Sequence, residues 1–213
     1  MTGTDLTPDE HGADPEVRGI DAARQLLQPR EVLRWRHTSS VGTPGEMELV
    51  RDGGEVVGEV GPALSDTSSA WGECFGEEWE LALCQAFMRG YRGSLRESGT
   101  ARPGLSYKGG SLSRGFMTTP EGRGLRWSKR FTGGWRVTDR AGQEVVRITV
   151  VRGWSFNTDA EVRLRAGALA LDELPQLLIL CGVLVIQTQD AFSRTFRVLK
   201  GTEPWAERDA WPF

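Results

Sequence analysis

The chain has 213 residues, of which 38% are hydrophobic and 26% are charged, and its mean hydropathy is -0.37. This length and composition are typical of a soluble protein and predict one domain with enough apolar residues for a real core. The first sixteen residues are polar and acidic, so we expect neither a signal peptide nor a transit peptide and predict a cytoplasmic location.

Charge is distributed unevenly along the chain, although the net charge is only -3. Residues 1–88 carry a net charge of -11, residues 89–152 carry +10, and residues 153–213 carry -2. A basic central region indicates an anionic partner, such as a lipid headgroup or a nucleic acid. Alternatively, acids such as Glu46, Glu48 and Glu59 lie on strands beside the basic residues and neutralise them. The sequence leaves both explanations open.

The chain contains no recognisable metal site or catalytic motif. Its three cysteines have no CxxC spacing, and only His11 and His37 accompany them, which argues against a zinc site. The cysteines are interpreted as free, buried side chains of a protein in a reducing compartment. The motifs GxSxG, GxxxxGK[ST], HExxH and DxDxDG are absent. We therefore expect a protein that is not an enzyme and that uses no catalytic residue, cofactor or metal.

The two ends of the chain differ from its centre. Residues 1–16 are rich in acids, Pro and Gly and lack apolar periodicity, so they are predicted to form a flexible acidic tail. The folded domain is predicted to span residues 17–195. It is predicted to start with a short helix, DAARQLLQPR, that begins at Asp21 and stops at Pro29. Residues 196–213 are predicted to be a C-terminal extension.

From Glu31 onward, apolar and polar residues alternate with the period of half-buried antiparallel strands. In EVLRWRH, Leu33, Trp35 and His37 share one face of the predicted strand. The Asp-Gly-Gly of RDGGEVVGEV predicts a hairpin turn. The segment EEWELALCQAFMRGYRGSLRE fits both a helix and a strand, and its glycines favour a strand.

The clearest alternation lies between residues 124 and 151. The side chains predicted to face the core are Leu125, Trp127, Phe131, Trp135, Val137, Val146, Ile148 and Val150. Those predicted to face outward are Arg126, Ser128, Arg130, Arg136, Thr138, Val145, Arg147 and Thr149. Turns are predicted at Gly133-Gly134 and at residues 139–142, where Gly adopts a positive φ most easily. The segment FNTDAEVRLRAGAL is predicted to add one more strand.

The most apolar segment is LPQLLILCGVLVIQTQDA, from Leu174 to Ala191. A transmembrane helix requires about 20 apolar residues, but the apolar run ends at Ile186, and a buried strand of this length would be unusual. A core helix fits best, with Asp172 as its N-cap and Pro175 in its first turn. Apolar residues lie on all its sides, so the helix needs an enclosing shell. The side chains predicted to be almost fully buried are Leu177, Leu178, Leu180, Val183, Leu184 and Ile186.

Three segments resemble the tubby C-terminal-like superfamily, which includes the LURP-one-related proteins, the phospholipid scramblases and bacterial-type members. GRGLRWSKRF, GGWRVTDRAGQEVVRI and LPQLLILCGVLVIQTQDA are similar to the family's Trp-bearing strand, its W-x-V-x-D-x-x-G hairpin and its helix opened by Leu-Pro. The resemblance covers residues 32–191 in the order of elements. It implies a mainly β fold, a closed antiparallel barrel of about twelve strands around a buried hydrophobic C-terminal helix.

The expected function is that of a non-enzymatic binding module. Arg126, Arg130 and Arg136 face outward and can grip phosphate together, and the resemblance implies a phosphoinositide or another anionic lipid headgroup as ligand. The family's lipid site is not carried over, because no matching motif is present. The alternative is a scaffold that binds a protein partner and no lipid. Scramblase-like lipid movement is disfavoured because the sequence has no long anchor or calcium loop, and neither a nucleic-acid partner nor a membrane-spanning segment is expected.

Overall fold

Twelve β-strands form one closed antiparallel barrel in the computed structural model, which describes residues 27, 31–38, 46–62, 69–86, 90–100, 102–131, 133–151 and 159–198. The strands are β1 (Val32–His37), β2 (Met47–Arg51), β3 (Val56–Pro62), β4 (Ser69–Cys74), β5 (Glu77–Ala86), β6 (Gly90–Glu97), β7 (Pro103–Ser111), β8 (Arg114–Thr118), β9 (Gly124–Lys129), β10 (Trp135–Thr138), β11 (Glu144–Val151) and β12 (Asp159–Leu164). Two helices follow them, α1 (Ala166–Leu169) and α2 (Leu174–Val198). The predicted fold class is confirmed.

Each strand pairs with its neighbours in the sequence, and β1 closes the barrel by pairing with β12. At this seam Leu33 lies opposite Val162 and Trp35 lies opposite Ala160, and all four side chains are buried. The alternation read from EVLRWRH therefore places its apolar residues on the inner face of the wall.

Glycine occupies the hairpin positions at which the backbone needs a positive φ. Gly54 has a φ of 84° in the turn between β2 and β3, and Gly142 has a φ of 80° between β10 and β11. The Arg51 amide donates to the Glu55 carbonyl oxygen at 2.9 Å across the first of these turns. Both turns agree with the sequence prediction.

Helix α2 occupies the interior of the barrel. Every residue from Leu174 to Ile186 is buried, and the helix packs against β3, β4, β5 and β7. The six side chains predicted to be buried are between 0% and 5% exposed, which confirms that prediction. The helix continues past Ala191 to Val198. Among the described residues, no helix combines the length and the apolar character that crossing a membrane requires.

Close contact between α2 and the wall depends on two glycines. A Cβ atom on Gly182 of α2 would lie 2.9 Å from the Trp35 ring and 3.0 Å from Val60. A Cβ atom on Gly72 of β4 would lie 2.5 Å from Ile179 of the helix. Because the interior is close-packed, both positions require a residue without a side chain.

Two segments predicted as single strands are divided in the structure. The first segment contains β5 and β6, which pair with each other, and Gly90 has a φ of 81° at the start of β6. The strand predicted near residue 160 ends at Leu164, and α1 follows it. The Ala168 amide donates to the Arg165 carbonyl oxygen at 2.8 Å, which closes a helical turn instead of extending the strand.

Phe131 points away from the core, contrary to the prediction. Its side chain is fully exposed, with a relative accessibility of 108%. Strand β9 ends at Lys129, and the following turn includes Gly133 and Gly134, which both have a positive φ. The inward and outward alternation therefore stops before it reaches Phe131.

Val145 and Thr138 are buried, although both were predicted to face outward. The pairing of β10 with β11 shifts between Val137 and Thr138, so a simple two-residue alternation does not hold at this position. Helix α1 also packs against β11. The shift in pairing and the packing of α1 together explain why Val145 is buried although it was predicted to face outward.

Helix α2 begins at Leu174, so Glu173 rather than Asp172 precedes its first residue. The Leu177 amide donates to the Glu173 carbonyl oxygen at 2.9 Å. The predicted tail at residues 1–16, most of the predicted short helix and Trp205 and Trp211 of the predicted extension lie outside the described residues. The proposed boundaries of the domain therefore stay predictions.

Candidate functional site on the outer face of strands β6 to β10

Five cationic side chains project outward from consecutive strands of the barrel. They form what we call the basic surface: Arg92 on β6, Lys108 on β7, Arg114 on β8, Arg126 on β9 and Arg136 on β10. All five are exposed. Within the described part of the chain, no ion pair joins any of them to a carboxylate.

One row of the basic surface follows directly from strand register. Arg92 lies opposite Lys108, Lys108 lies opposite Phe116, and Phe116 lies opposite Arg126. Neighbouring strands are about 4.8 Å apart, so four adjacent strands present these side chains side by side. The row places one exposed aromatic side chain between two cations.

Three arginines are neighbours of Ser128 on the outer face of the sheet. In the strand register, Ser128 of β9 lies opposite Arg114 of β8 on one side and opposite Arg136 of β10 on the other. Arg126 lies two residues before Ser128 on the same face of β9 and is thus a diagonal neighbour of both, at about 7–8 Å between backbones. The Arg136 Nε–H donates to the Ser128 Oγ at 3.4 Å. We call these four residues the arginine triangle.

The inner face of the same strands is rigidly packed below the arginine triangle. The rings of Trp127 and Trp135 are stacked, with centroids 5.9 Å apart and an angle of 9° between the planes. The Trp127 indole N–H donates to the Leu112 carbonyl oxygen at 2.8 Å, which ties β9 to the turn before β8. The stacked rings and the Trp127 hydrogen bond hold the strands that carry the arginines in register.

The three arginines predicted from the sequence lie on this side of the barrel. Arg126 and Arg136 both belong to the arginine triangle. Arg130 is only partly exposed and lies just beyond the end of β9, where its amide donates to the Gly134 carbonyl oxygen at 2.9 Å. It therefore lies next to the triangle but is not a member of it.

The sequence analysis missed Arg92, Lys108 and Arg114. Arg114 and Phe116 alternate with the buried Met117 in the segment SRGFMTT, and this alternation is visible in the sequence. Knowing that Arg114 lies opposite Ser128, however, requires the pairing of β8 with β9. The pairing depends on turn lengths and on bulges, such as the shift between Gly109 and Ser111 on β7.

Ion pairs on the neighbouring strands contrast with the basic surface. Arg147 of β11 donates to Glu144 at 2.7 Å, and Arg165 lies 3.4 Å from the same carboxylate. Burial alone would raise the pKa of Glu144, but hydrogen bonds and positive charge from the two arginines lower it below its usual value. Arg163 of β12 pairs in turn with Glu161 at 3.2 Å. Carboxylates thus pair with the arginines of β11 and β12, whereas no carboxylate of the described segments pairs with the cations of the basic surface.

Four glutamates form a continuous row on the other side of the barrel. Glu48 of β2 lies opposite Glu59 of β3, Glu59 lies opposite Glu73 of β4, and Glu73 lies opposite Glu78 of β5. We call this row the glutamate ladder. Arg36 of β1 pairs with Glu48 at one end, at 2.8 Å.

The position of the glutamate ladder corrects the explanation that acidic strands neutralise the basic ones. Strands β3 and β9 are equally far apart in both directions around the closed barrel, so they lie on opposite sides of it. Glu48 and Glu59 are therefore remote from Arg126, and Glu46 lies immediately before β2 on their side. Arg126 and the ladder glutamates of β2 and β3 thus lie on opposite sides of the barrel, although β5, at the other end of the ladder, pairs with β6 of the basic surface.

A pair of carboxyl groups lies at the end of the barrel where α2 begins. Glu121 lies in the turn between β8 and β9, and contact with Glu173 together with the negative charge of Glu173 raises the pKa of Glu121. Glu173 is only 5% exposed, and among the described residues its Oε1 has no hydrogen-bond partner. In the described segments, no group of three or more His, Cys, Asp or Glu side chains could hold a metal ion.

Comparisons with known proteins give information about the fold. No family model matches the chain, and no curated protein matches it. Among solved structures, the chain is similar to a protein from Arabidopsis thaliana known from an X-ray structure, with 11% sequence identity and a TM-score of 0.50. The match covers 78% of this chain and 96% of the plant protein's chain. A likeness at this level of identity concerns the fold and not the function, so the comparison shows that the two chains share a barrel fold.

Proposed function

We propose that this protein is a non-enzymatic binding module that recognises an anionic lipid headgroup, such as that of a phosphoinositide, through its basic surface. The observation that carries the proposal is the arginine triangle, in which Arg114, Arg126 and Arg136 are neighbours of Ser128 in the strand register and Arg136 donates to its hydroxyl. We also propose that the protein belongs to the tubby C-terminal-like superfamily, which its sequence resembles, and that it is cytoplasmic.

The chemistry of the arginine triangle suits a phosphate group. Guanidinium groups donate two parallel hydrogen bonds to phosphate oxygens, and the Ser128 hydroxyl supplies a further donor between them. Because no ion pair neutralises these arginines within the described residues, a ligand does not have to displace a carboxylate. The remaining cations, Arg92 and Lys108, add long-range attraction to a negatively charged membrane surface.

Binding to vesicles tests the proposal. Wild-type protein should bind phosphatidylcholine vesicles that contain phosphatidylinositol bisphosphate more tightly than vesicles of phosphatidylcholine alone, and added salt should weaken this binding. Each basic side chain near an anionic surface contributes about 1 kcal/mol. The double substitution Arg126→Gln/Arg136→Gln should therefore reduce the partition coefficient roughly thirty-fold.

A matched control removes the same charge from another part of the barrel. Arg34→Gln/Arg36→Gln changes two exposed arginines on β1, outside the basic surface, and also removes the ion pair between Arg36 and Glu48. This variant should retain most of the vesicle binding. Equal losses in the two double variants would show that net charge, and not the arginine triangle, determines binding.

The alternative function is that of a scaffold that binds a protein partner without lipid. The observation that favours it is the glutamate ladder, an exposed charged surface that the lipid proposal does not use. If wild-type protein binds anionic and neutral vesicles equally at low salt, the lipid proposal is wrong and the scaffold becomes the leading hypothesis.

A further inference from the structure

Phe116 is an apolar side chain on the charged outer surface of the barrel. It is 62% exposed, whereas its neighbour on the same strand, Met117, is completely buried. In the strand register, Lys108 lies on one side of Phe116 and Arg126 lies on the other. Packing of the core does not explain a phenylalanine at this position, since the inner face of β8 is already occupied by Gly115 and Met117.

The position of Phe116 relative to the arginine triangle indicates a common ligand surface. Phe116 and Arg114 are two residues apart on the same face of β8, which corresponds to about 7 Å along the strand. A phosphate held by the arginine triangle would therefore lie beside the aromatic ring. A free inorganic phosphate offers no apolar surface to this ring, but a bilayer presents phosphates and acyl chains within a few ångströms of each other.

We propose that Phe116 inserts into the interface of an anionic bilayer while the arginine triangle holds a headgroup phosphate. This inference rests on the proposed function and adds a partner, a lipid bilayer rather than a soluble phosphate compound. It also assigns an orientation in which the side of the barrel formed by β6 to β10 faces the membrane. The combination of exposed aromatic and cationic side chains is typical of surfaces that bind anionic membranes.

Single-stranded nucleic acid is a less suitable partner for this surface. Proteins that bind it stack successive bases on several aromatic side chains. Among the described residues, Phe116 is the one large exposed aromatic side chain within the basic surface. Phe131, the next exposed aromatic, lies in the turn between β9 and β10, at the end of the barrel.

The test compares substitutions of exposed apolar residues at three places on the barrel. Phe116→Ser removes the side chain that we propose to insert. Phe131→Ser tests an orientation in which the end of the barrel contacts the membrane. Val56→Ser is the control and changes a 43% exposed residue on β3. Binding is measured to phosphatidylcholine vesicles with phosphatidylserine, to inositol trisphosphate in solution, and to a single-stranded DNA oligonucleotide. A thermal melt of each variant verifies that the fold is retained.

Phe116→Ser should weaken vesicle binding about tenfold, because the ring no longer leaves water on binding. It should leave binding of inositol trisphosphate unchanged, whereas Arg126→Gln/Arg136→Gln should weaken both. Phe116→Trp should bind vesicles at least as well as wild type, since Trp is favoured at membrane interfaces. Wild-type binding should also persist in part at high salt, because insertion of an apolar ring is not screened.

Different failures lead to different conclusions. If wild-type protein prefers anionic vesicles but Phe116→Ser binds them equally well, the insertion of Phe116 is wrong while the proposed function survives. If Phe131→Ser weakens vesicle binding and Phe116→Ser does not, the assigned orientation is wrong. If Phe116→Ser weakens binding of the DNA oligonucleotide but not of vesicles, the partner is a nucleic acid and not a bilayer. If wild-type protein does not distinguish anionic from neutral vesicles, the proposed function itself fails.

Discussion

Glu59 of β3 lies directly opposite Glu73 of β4 on the outer face of the barrel, and no ion pair joins either side chain to a described residue. Like charges at opposed positions of antiparallel strands destabilise a sheet. The same arrangement repeats from Glu48 to Glu78, and Arg36 compensates only one end of the row. The glutamate ladder therefore lowers the stability of the protein.

Glu59→Lys should stabilise the protein, because the new cation lies between Glu48 and Glu73. The expected gain is on the order of 0.5–1 kcal/mol in the free energy of unfolding at low salt, and it should shrink at high salt. Glu80→Lys is the matched control, since Glu80 lies opposite Arg96 and its replacement creates a repulsive pair. Urea unfolding curves measure both effects, and a less stable Glu59→Lys variant would contradict the interpretation of the ladder.

Leu180→Asp should prevent folding of the barrel. Leu180 is completely buried in the centre of the barrel, and an unpaired carboxylate in an apolar interior costs several kcal/mol, a large part of the 5–15 kcal/mol that typically stabilises a domain. Leu180→Met conserves the volume and should cost less than about 1.5 kcal/mol. Circular dichroism during thermal unfolding distinguishes the two variants. Cooperative melting of Leu180→Asp near the wild-type temperature would contradict the enclosed position of α2.

Gly182→Ala should destabilise the protein, although alanine favours a helix by about 1 kcal/mol. The added methyl group would lie 2.9 Å from the Trp35 ring, and overpacking of this kind typically costs about 1–3 kcal/mol. Gly167→Ala in α1 is the control, because a Cβ atom at that position meets no atom within 4 Å. Chemical unfolding should thus show opposite signs for the same substitution in the two helices.

Glu121→Gln and Glu144→Gln should change stability in opposite directions at neutral pH. The raised pKa of Glu121 means that its ionised form is disfavoured in the folded protein. The stability associated with its neutral form is lost as the pH rises through the folded-state pKa, so Glu121→Gln should raise the melting temperature at pH 7. This advantage should disappear below the usual carboxyl pKa of 4.5.

Glu144→Gln should have the opposite effect on the melting temperature, because Arg147 and Arg165 lower the pKa of Glu144 in the folded protein. Its ionised form stabilises the fold at a pH above 4.5, and this contribution is lost as the pH falls through the lowered pKa. Glu144→Gln should therefore reduce the melting temperature at pH 7, with a difference that narrows in acid. Melting curves of both variants between pH 3 and 8 test the two predicted changes in melting temperature, because this range spans the usual carboxyl pKa.

Periodicity in the sequence predicted the barrel because it reports which face of each strand is buried. The alternation around Trp35 and Trp127 and the apolar run of α2 from Leu177 to Ile186 agree with the structure, since both follow from removal of apolar area from water. The prediction failed where the backbone leaves its regular course. Phe131 follows the end of β9, and Val145 lies where the pairing of β10 with β11 shifts. The apolar pattern of the sequence indicates neither the end of the strand nor the shift in pairing.

The candidate site was only partly predictable, because it depends on which strands become neighbours. Arg126 and Arg136 were found from the alternation on their own strands. The contribution of Arg114 and the central position of Ser128 depend on the register of three strands, which is a property of the pairing and not of any single segment. The separation of Arg126 from the ladder glutamates of β2 and β3 likewise requires the order of strands around the closed barrel.

The seam between β1 and β12 and the enclosed position of α2 impose an order on synthesis and folding. A ribosome completes β12 long after β1, and the helix that fills the interior is made later still. Contacts between distant parts of a chain form slowly, because their loop entropy is lost before the contacts are gained. A nascent chain that stops before Leu174 would have the twelve described strands but not the helix that they enclose. We expect the apolar inner wall to be exposed to chaperones until the last helix leaves the ribosome.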